Sequence, residues 1–278
     1  MLLGCIAAAS ALIALGVCFG TGAFSGLQWL WELPVSFLGS FLGLGLLAFL
    51  FLVIACATVD TSKPQEHDSK FFRAIGVLYS GAICTLVQAR IHKRGLEQLP
   101  KSGRFLLVCN HLSDMDPVIL LRYFGTREIT FLSKWENSSM FVVGKIMHKI
   151  KCPLVNREND REALRTIVQS IDLIKNDELS VAVFPEGYVS KDHKLHPFRS
   201  GVLKIALKAQ VPIVVCTLTN TQHVFHNAKR LRHTDVDFHL LGVIPFEELK
   251  GHTAVDIGNR IHDMMARDLG PQNVLCEE

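Results

Sequence analysis

Two apolar runs dominate the first sixty residues. Leu2 to about Gly22 and Val35 to Val59 are each long enough to cross a hydrocarbon core as helices, and Glu32 is the only charge between Met1 and Val59. This pattern predicts a transmembrane helical hairpin over residues 1–59, with Trp29, Trp31, Glu32 and Pro34 forming its turn and the indoles at headgroup level. No Lys or Arg precedes the first run and a second run follows at once, which disfavours a cleaved signal peptide. The polar linker that follows, with Lys63 and Lys70 and then Arg73, places the rest of the chain on the cytoplasmic face by the positive-inside rule. Ala74 to Ala89 is again apolar but short for a span. It predicts a helix that lies along the membrane surface, its flanking Arg90, His92, Lys93 and Arg94 near lipid phosphates, or one that packs on the globular domain. Residues 60–94 are thus read as linker and surface helix, and residues 95–278 as a globular domain.

From Gly95 onward short apolar runs alternate with helical patterns. Arg104 to Cys109, Glu128 to Ser133, Ser180 to Phe184, Val211 to Leu218 and Val236 to Val243 have the length and β-branched content of strands. Pro117 to Phe124 reads as a helix entered at proline. Arg161 to Lys175 carries Leu164, Ile167, Val168, Ile171 and Ile174 at helical spacing with Asn159 as its cap, and Gly201 to Lys208 is a further helix. Strands separated by helices imply an α/β domain with a mixed, partly parallel sheet under helical cover. Active sites in such sheets collect at the carboxyl ends of strands.

Composition narrows the picture further. A net charge of +3 gives no bulk attraction to nucleic acid. The eight cysteines include no Cys-x2-Cys pair, so neither a disulfide framework nor a zinc site is predicted. His193 and His196, like His223 and His226, lie in polar segments and read as surface residues, and Lys229, Arg230 and Arg232 as a solvated basic run, the alternative being a contact with anionic lipid or a carrier protein. No metal or cofactor is expected.

Candidate chemistry gathers at the ends of the strands. Asn110 to Asp116 (Asn-His-Leu-Ser-Asp-Met-Asp) follows the first strand, so His111 sits at a strand-to-helix turn. A carboxylate in that turn, Asp114 or Asp116, can hold one imidazole nitrogen while the other faces a cleft, the arrangement of a general base with an orienter. Arg157, ending Lys151 to Asn156, suits bidentate binding of a phosphate, and Lys134 can join it as a point charge. Phe184-Pro185-Glu186-Gly187 ends another strand. There Glu186 is expected at the sheet edge, accepting from a substrate hydroxyl, and Gly187 is expected to let a backbone amide approach an anion.

Taken in order, these stretches resemble the glycerophospholipid acyltransferase family, in particular the bacterial 1-acylglycerol-3-phosphate acyltransferases, over about Gly95 to Leu218. His111 and Asp116 fit the family's Asn-His-x4-Asp motif, Arg157 its arginine motif, Phe184 to Gly187 its Phe-Pro-Glu-Gly motif, and Val211 to Val215 its final proline-containing strand. The resemblance selects Asp116 over Asp114. It implies transfer of a fatty acyl group from acyl-CoA or acyl-carrier protein, as co-substrate, to the free hydroxyl of a lysophospholipid, usually lysophosphatidate, beside the bilayer. The sequence departs from the family where many relatives read Thr-Arg-Ser: here Tyr188-Val189-Ser190 stands, which removes a hydroxyl and a charge from the headgroup side. Two other readings follow from the same residues, a membrane-anchored lipid-binding protein without turnover and a thioesterase-like hydrolase.

Overall fold

A computed structural model describes residues 1–156 and 159–275. The chain divides into two compact units, Met1–Pro64 and Gln65–Glu278.

The first unit is a hairpin of α1 (Leu2–Thr21) and α2 (Trp29–Ala57), both long and apolar enough to cross a membrane. The turn falls earlier than the sequence suggested. Gly22 closes α1 in the left-handed conformation at φ 70°, and Trp29, Trp31, Glu32 and Pro34 are already helical in α2. Pro34 lies beyond the unpaired amides of the first turn, so its missing N–H costs α2 one backbone bond, to the Leu30 carbonyl. The hydroxyl of Thr21 donates to the Glu32 carboxylate at 2.7 Å, which gives the hairpin's one acid a partner.

The second unit is a sheet between two helical layers. Its elements in order are α3 (Lys70–Leu86), β1 (Ala89–Arg94), β2 (Leu106–Cys109), α4 (Met115–Phe124), β3 (Ile129–Phe131), β4 (Ser133–Lys134), α5 (Phe141–Lys149), β5 (Leu154–Val155) and α6 (Asp160–Lys175). They continue with β6 (Ser180–Val183), α7 (Lys204–Ala209), β7 (Ile213–Leu218), α8 (Val224–Ala228), β8 (Thr234–Ile244), α9 (Phe246–Leu249) and α10 (Ala254–Leu269). The six-stranded sheet has the order β1-β8-β7-β2-β6-β3. Strands β3, β6, β2 and β7 run parallel, β8 is antiparallel to β7, and β1 is parallel to β8. The central strands are buried on both faces, which is why they read as unbroken apolar runs. Leu107 and Cys109 of β2 face a cluster with Ile119 and Phe124 of α4, while Leu106 and Val108 face Leu203, Ile261 and Met265 on the other side. Fully burying each such side chain stabilises the fold by roughly 1.5–3 kcal/mol.

Two expectations about residues 65–94 change. The apolar helix α3 docks in the second unit: Gly76 sits so close that a Cβ there would lie 3.1 Å from Leu121 of α4 and 3.5 Å from Ile146 of α5. Arg73, counted with the positive flank of the membrane, is buried and ion-paired to Asp68 at 2.7 Å. Arg90 to Arg94 are not a loose basic flank either but belong to the edge strand β1, which moves the start of the compact unit from Gly95 to Gln65. Charged side chains suit an edge strand, where they discourage further pairing. Here His92 meets Asp235 at 2.8 Å and Arg94 meets Asp237 at 3.2 Å.

Candidate active site

The site forms where β2 runs out. Asn110, fully buried, extends the ladder with its side chain: Nδ2 donates to the Leu218 carbonyl at 2.9 Å and Oδ1 accepts from the Leu218 amide at 2.8 Å. This pins the end of β2 to the end of β7. The chain then turns into α4, whose first turn carries Asp116. Asp116 is wholly buried, and its Oδ2 gathers three donors: the backbone amides of Leu112 (2.7 Å) and Ser113 (2.8 Å) and His111 Nδ1 (2.9 Å). The carboxylate therefore folds the turn and fixes the tautomer with the proton on Nδ1, leaving Nε2 as the basic nitrogen. Among the described residues Nε2 has no partner, and the His111 ring stacks on Phe184 at a centroid distance of 4.0 Å. Asp116, not Asp114, is the acid that meets His111.

The Phe-Pro-Glu-Gly turn lies against this loop but does something other than what its sequence suggested. Glu186 is fully buried, and its two oxygens accept the backbone amides of His111 (2.8 Å) and His196 (3.1 Å). It is a brace beneath the His111 turn, its two oxygens taken up by backbone amides and not presented at the sheet edge. Burial pushes its carboxyl up to about 7 against the lowering pull of those two amides. Gly187 is left-handed at φ 82°, and its amide is spent on the Phe184 carbonyl at 3.0 Å, so it is not offered to an anion. The amides of His111, Leu112 and Ser113 are likewise used inside the protein.

Several neighbours make contacts that the sequence did not predict. A Cβ on Gly187 would lie 3.0 Å from Cδ of Arg199, so this exposed arginine rests over the turn. His196 is no free surface histidine: its Nε2 meets Asp192 at 2.7 Å, a contact that holds the Asp192 carboxyl below the usual range. The Ser190 amide donates to the His111 carbonyl at 2.9 Å, closing the loop over the site. Only the adjacent glycine and the polar run after it hinted at these contacts.

The remaining predicted residues divide. Lys134 is half-exposed and paired with Glu136 at 2.6 Å. It lies in β4, parallel to β5 with Lys134 opposite Val155, two positions before Arg157 in sequence. Arg157 itself lies outside the described residues. Asn159 caps α6 as predicted, accepting from the amides of Arg161 and Glu162. Cys109 is buried, which pushes its thiol well above its usual range and keeps it protonated, so it offers no nucleophile beside His111.

Known proteins resemble this chain in sequence and in fold. The family model described as Acyltransferase matches residues 90–219. The chain is 31% identical over 198 residues to a protein named probable 1-acyl-sn-glycerol-3-phosphate acyltransferase from Mycoplasma genitalium, covering 68% of this chain and 72% of that protein. It is 34% identical over 145 residues to a protein of the same name from Mycoplasma pneumoniae, covering 51% of this chain and about half, 53%, of that protein. The crystal structure of the 1-acyl-sn-glycerophosphate acyltransferase PlsC from Thermotoga maritima shares the fold, with a TM-score of 0.62 at 19% identity over 82% of this chain and 89% of that one. With a relative 31% identical and matched over 72% of its length, this chain belongs to the acyltransferase family.

Proposed function

We propose that the protein transfers a fatty acyl group from a thioester, acyl-CoA or acyl-carrier protein, to the sn-2 hydroxyl of 1-acylglycerol-3-phosphate, giving phosphatidate. The observation that supports it most is the pair of His111 and Asp116, 2.9 Å apart, with Nε2 unpartnered at the carboxyl edge of the sheet. An alcohol is a poor nucleophile at neutral pH. Neutral His111 takes its proton on Nε2 as the oxygen attacks the thioester carbonyl, and Asp116 stabilises the imidazolium so formed. When the tetrahedral centre collapses, the carbon–sulfur bond breaks and the thiolate takes the proton back, so no covalent enzyme intermediate is required. Glu186 serves as a positioning residue that holds the His111 backbone. Arg157 and Lys134 hold the acceptor phosphate, and Arg199, over Gly187, is suited to assist where Val189 replaces the family's arginine. No cofactor beyond the thioester is needed.

The two apolar helices support a membrane location, where a lysophospholipid and its product partition. Lys63 and Lys70 favour the cytoplasmic face for the catalytic unit. The test is thiol release from acyl-CoA by the detergent-purified full-length protein, with and without a panel of lysophospholipids. Release that depends on lysophosphatidate is expected. Dependence on another lysophospholipid would reassign the acceptor, acceptor-independent release would indicate a hydrolase, and no release would indicate a lipid-binding protein without turnover.

A further inference from the structure

The direction of the strands places several unexplained surface residues on the same edge as His111. Strands β2, β6, β7 and β3 end there. Because β8 is antiparallel to β7, with Leu218 opposite Phe238, its first residue, Thr234, lies at that edge. Strand β1 runs with β8, Ala89 opposite Thr234, and the Thr234 amide donates to the Gln88 carbonyl at 3.1 Å. The end of α3 and the loop from Lys229 to His233 are therefore neighbours on one flank of the catalytic edge. On the other flank, β3 leads through β4 into the 3-10 turn Trp135–Ser139 and the start of α5.

Both flanks show apolar side chains to solvent. Leu231 is 83% exposed and Leu86 65%, the two highest values among the large hydrophobic residues described in the second unit. Trp135 is 58% exposed, and Met140 and Phe141 are each 52% exposed. Leu231 is also left-handed at φ 55°, a conformation that strains a residue with a bulky side chain. That conformation closes the end of α8, with the Leu231 amide donating to the Ala228 carbonyl at 3.0 Å and the Arg232 amide to the Asn227 carbonyl at 3.0 Å, and it leaves the Leu231 side chain in solvent. Lys229, Arg230 and Arg232 beside it are exposed and form no ion pair among the described residues. Exposed apolar patches rimmed by cations mark contact with an anionic apolar surface.

We propose that the carboxyl edge of the sheet is a lipid-contacting surface. Leu231 with its three cations, and Trp135 to Phe141 on the opposite flank, seat in an anionic leaflet on either side of the His111 turn. Charge complementarity selects lipid phosphates for the cations, and the apolar tip between them enters the acyl boundary. An acidic soluble partner would satisfy the cations but leave the second, apolar foothold across the edge without a role. A bilayer touches both at once.

The test uses the full-length protein in nanodiscs of phosphatidylcholine with phosphatidylglycerol, spin-labelled at Leu231→Cys or Phe141→Cys after Cys5→Ser and Cys276→Ser. The remaining cysteines are buried. Lys101→Cys, before β2 at the opposite edge, serves as the aqueous reference. Labels at 231 and 141 should collide more with oxygen than with a water-soluble nickel chelate, and the label at 101 the reverse. A label at 231 or 141 that behaves like 101 overturns the proposal, and at 231 points to a soluble acidic partner. The variant Lys229→Glu, Arg230→Glu, Arg232→Glu should lower acyl transfer in these nanodiscs about fivefold or more, while turnover in neutral detergent stays within about twofold of wild type. Unchanged turnover in the nanodiscs also overturns it. Should this variant fail to fold, the collision measurement on the single-cysteine proteins decides alone.

Discussion

Glu186 bears a larger share of the His111 turn than its place in a short motif suggests. Its two oxygens hold amides from segments 75 and 10 residues away, which fixes the backbone of His111 against that of His196. Because its folded-state pKa is raised to about 7 from an ordinary 4.5, its contribution to stability is fully present below about 4.5 and is lost as pH rises through 7. Glu186→Gln removes this titration and leaves one backbone amide facing an NH2 group, a cost of about 1–3 kcal/mol. The stability gap between wild type and this variant should therefore narrow, by roughly 3 kcal/mol at most, between pH 4.5 and 7. Melting temperatures in detergent across that range check it, and parallel curves would show that Glu186 does not titrate there. The burial of this residue was not legible in the sequence, because a glutamate after a strand is ordinarily solvated and its acceptors' partners are distant along the chain. His111 with an acid in the same turn was legible from the residues, and the choice of Asp116 over Asp114 came from the family motif.

Element by element, legibility followed burial. Strands covered on both faces, such as β2, β6 and β7, announced themselves as apolar runs, and α6 by its spacing and its Asn159 cap. Strand β1 did not, because an edge strand keeps only Ala89 and Ile91 half-buried and spends its other positions on Arg90, His92, Lys93 and Arg94. Helix α3 left two readings open, because its apolar character serves packing on α4 and α5 as well as it would serve a membrane surface, and the structure realises the packed one. The turn that follows β1 offers a test. Gly95 is left-handed at φ 76°, and a Cβ there would lie 2.2 Å from the Leu240 carbonyl oxygen, whereas Gly103 at φ 81° has nothing within 4 Å. Gly103→Ala should cost about 1–2 kcal/mol of conformational strain, and Gly95→Ala at least about 2 kcal/mol more, because backbone of β8 must move. Thermal unfolding of the two variants measures the difference. Equal losses would mean that β1 is held less tightly to β8 than its register implies.

At the scale of the whole molecule, an apolar hairpin long enough to span a bilayer shares a chain with a sheet whose carboxyl edge carries a braced histidine. The hairpin was legible from length and charge alone, and its turn was placed too late, at Trp29 to Pro34, because the one charge and the aromatic residues that interrupt the apolar pattern there belong to the start of α2. Substrate choice is less legible, since Val189 and the Lys134–Glu136 pair alter the charge available to a headgroup. In the proposed reaction one imidazole, held by Asp116, activates the acceptor alcohol. The most direct test of that role is kcat/KM for acceptor-dependent acyl transfer by wild type and His111→Ala in the same membrane preparation, with matching melting temperatures to show an intact fold. The expected result is a fall of about 10²- to 10⁴-fold. Wild-type turnover in the variant would contradict it.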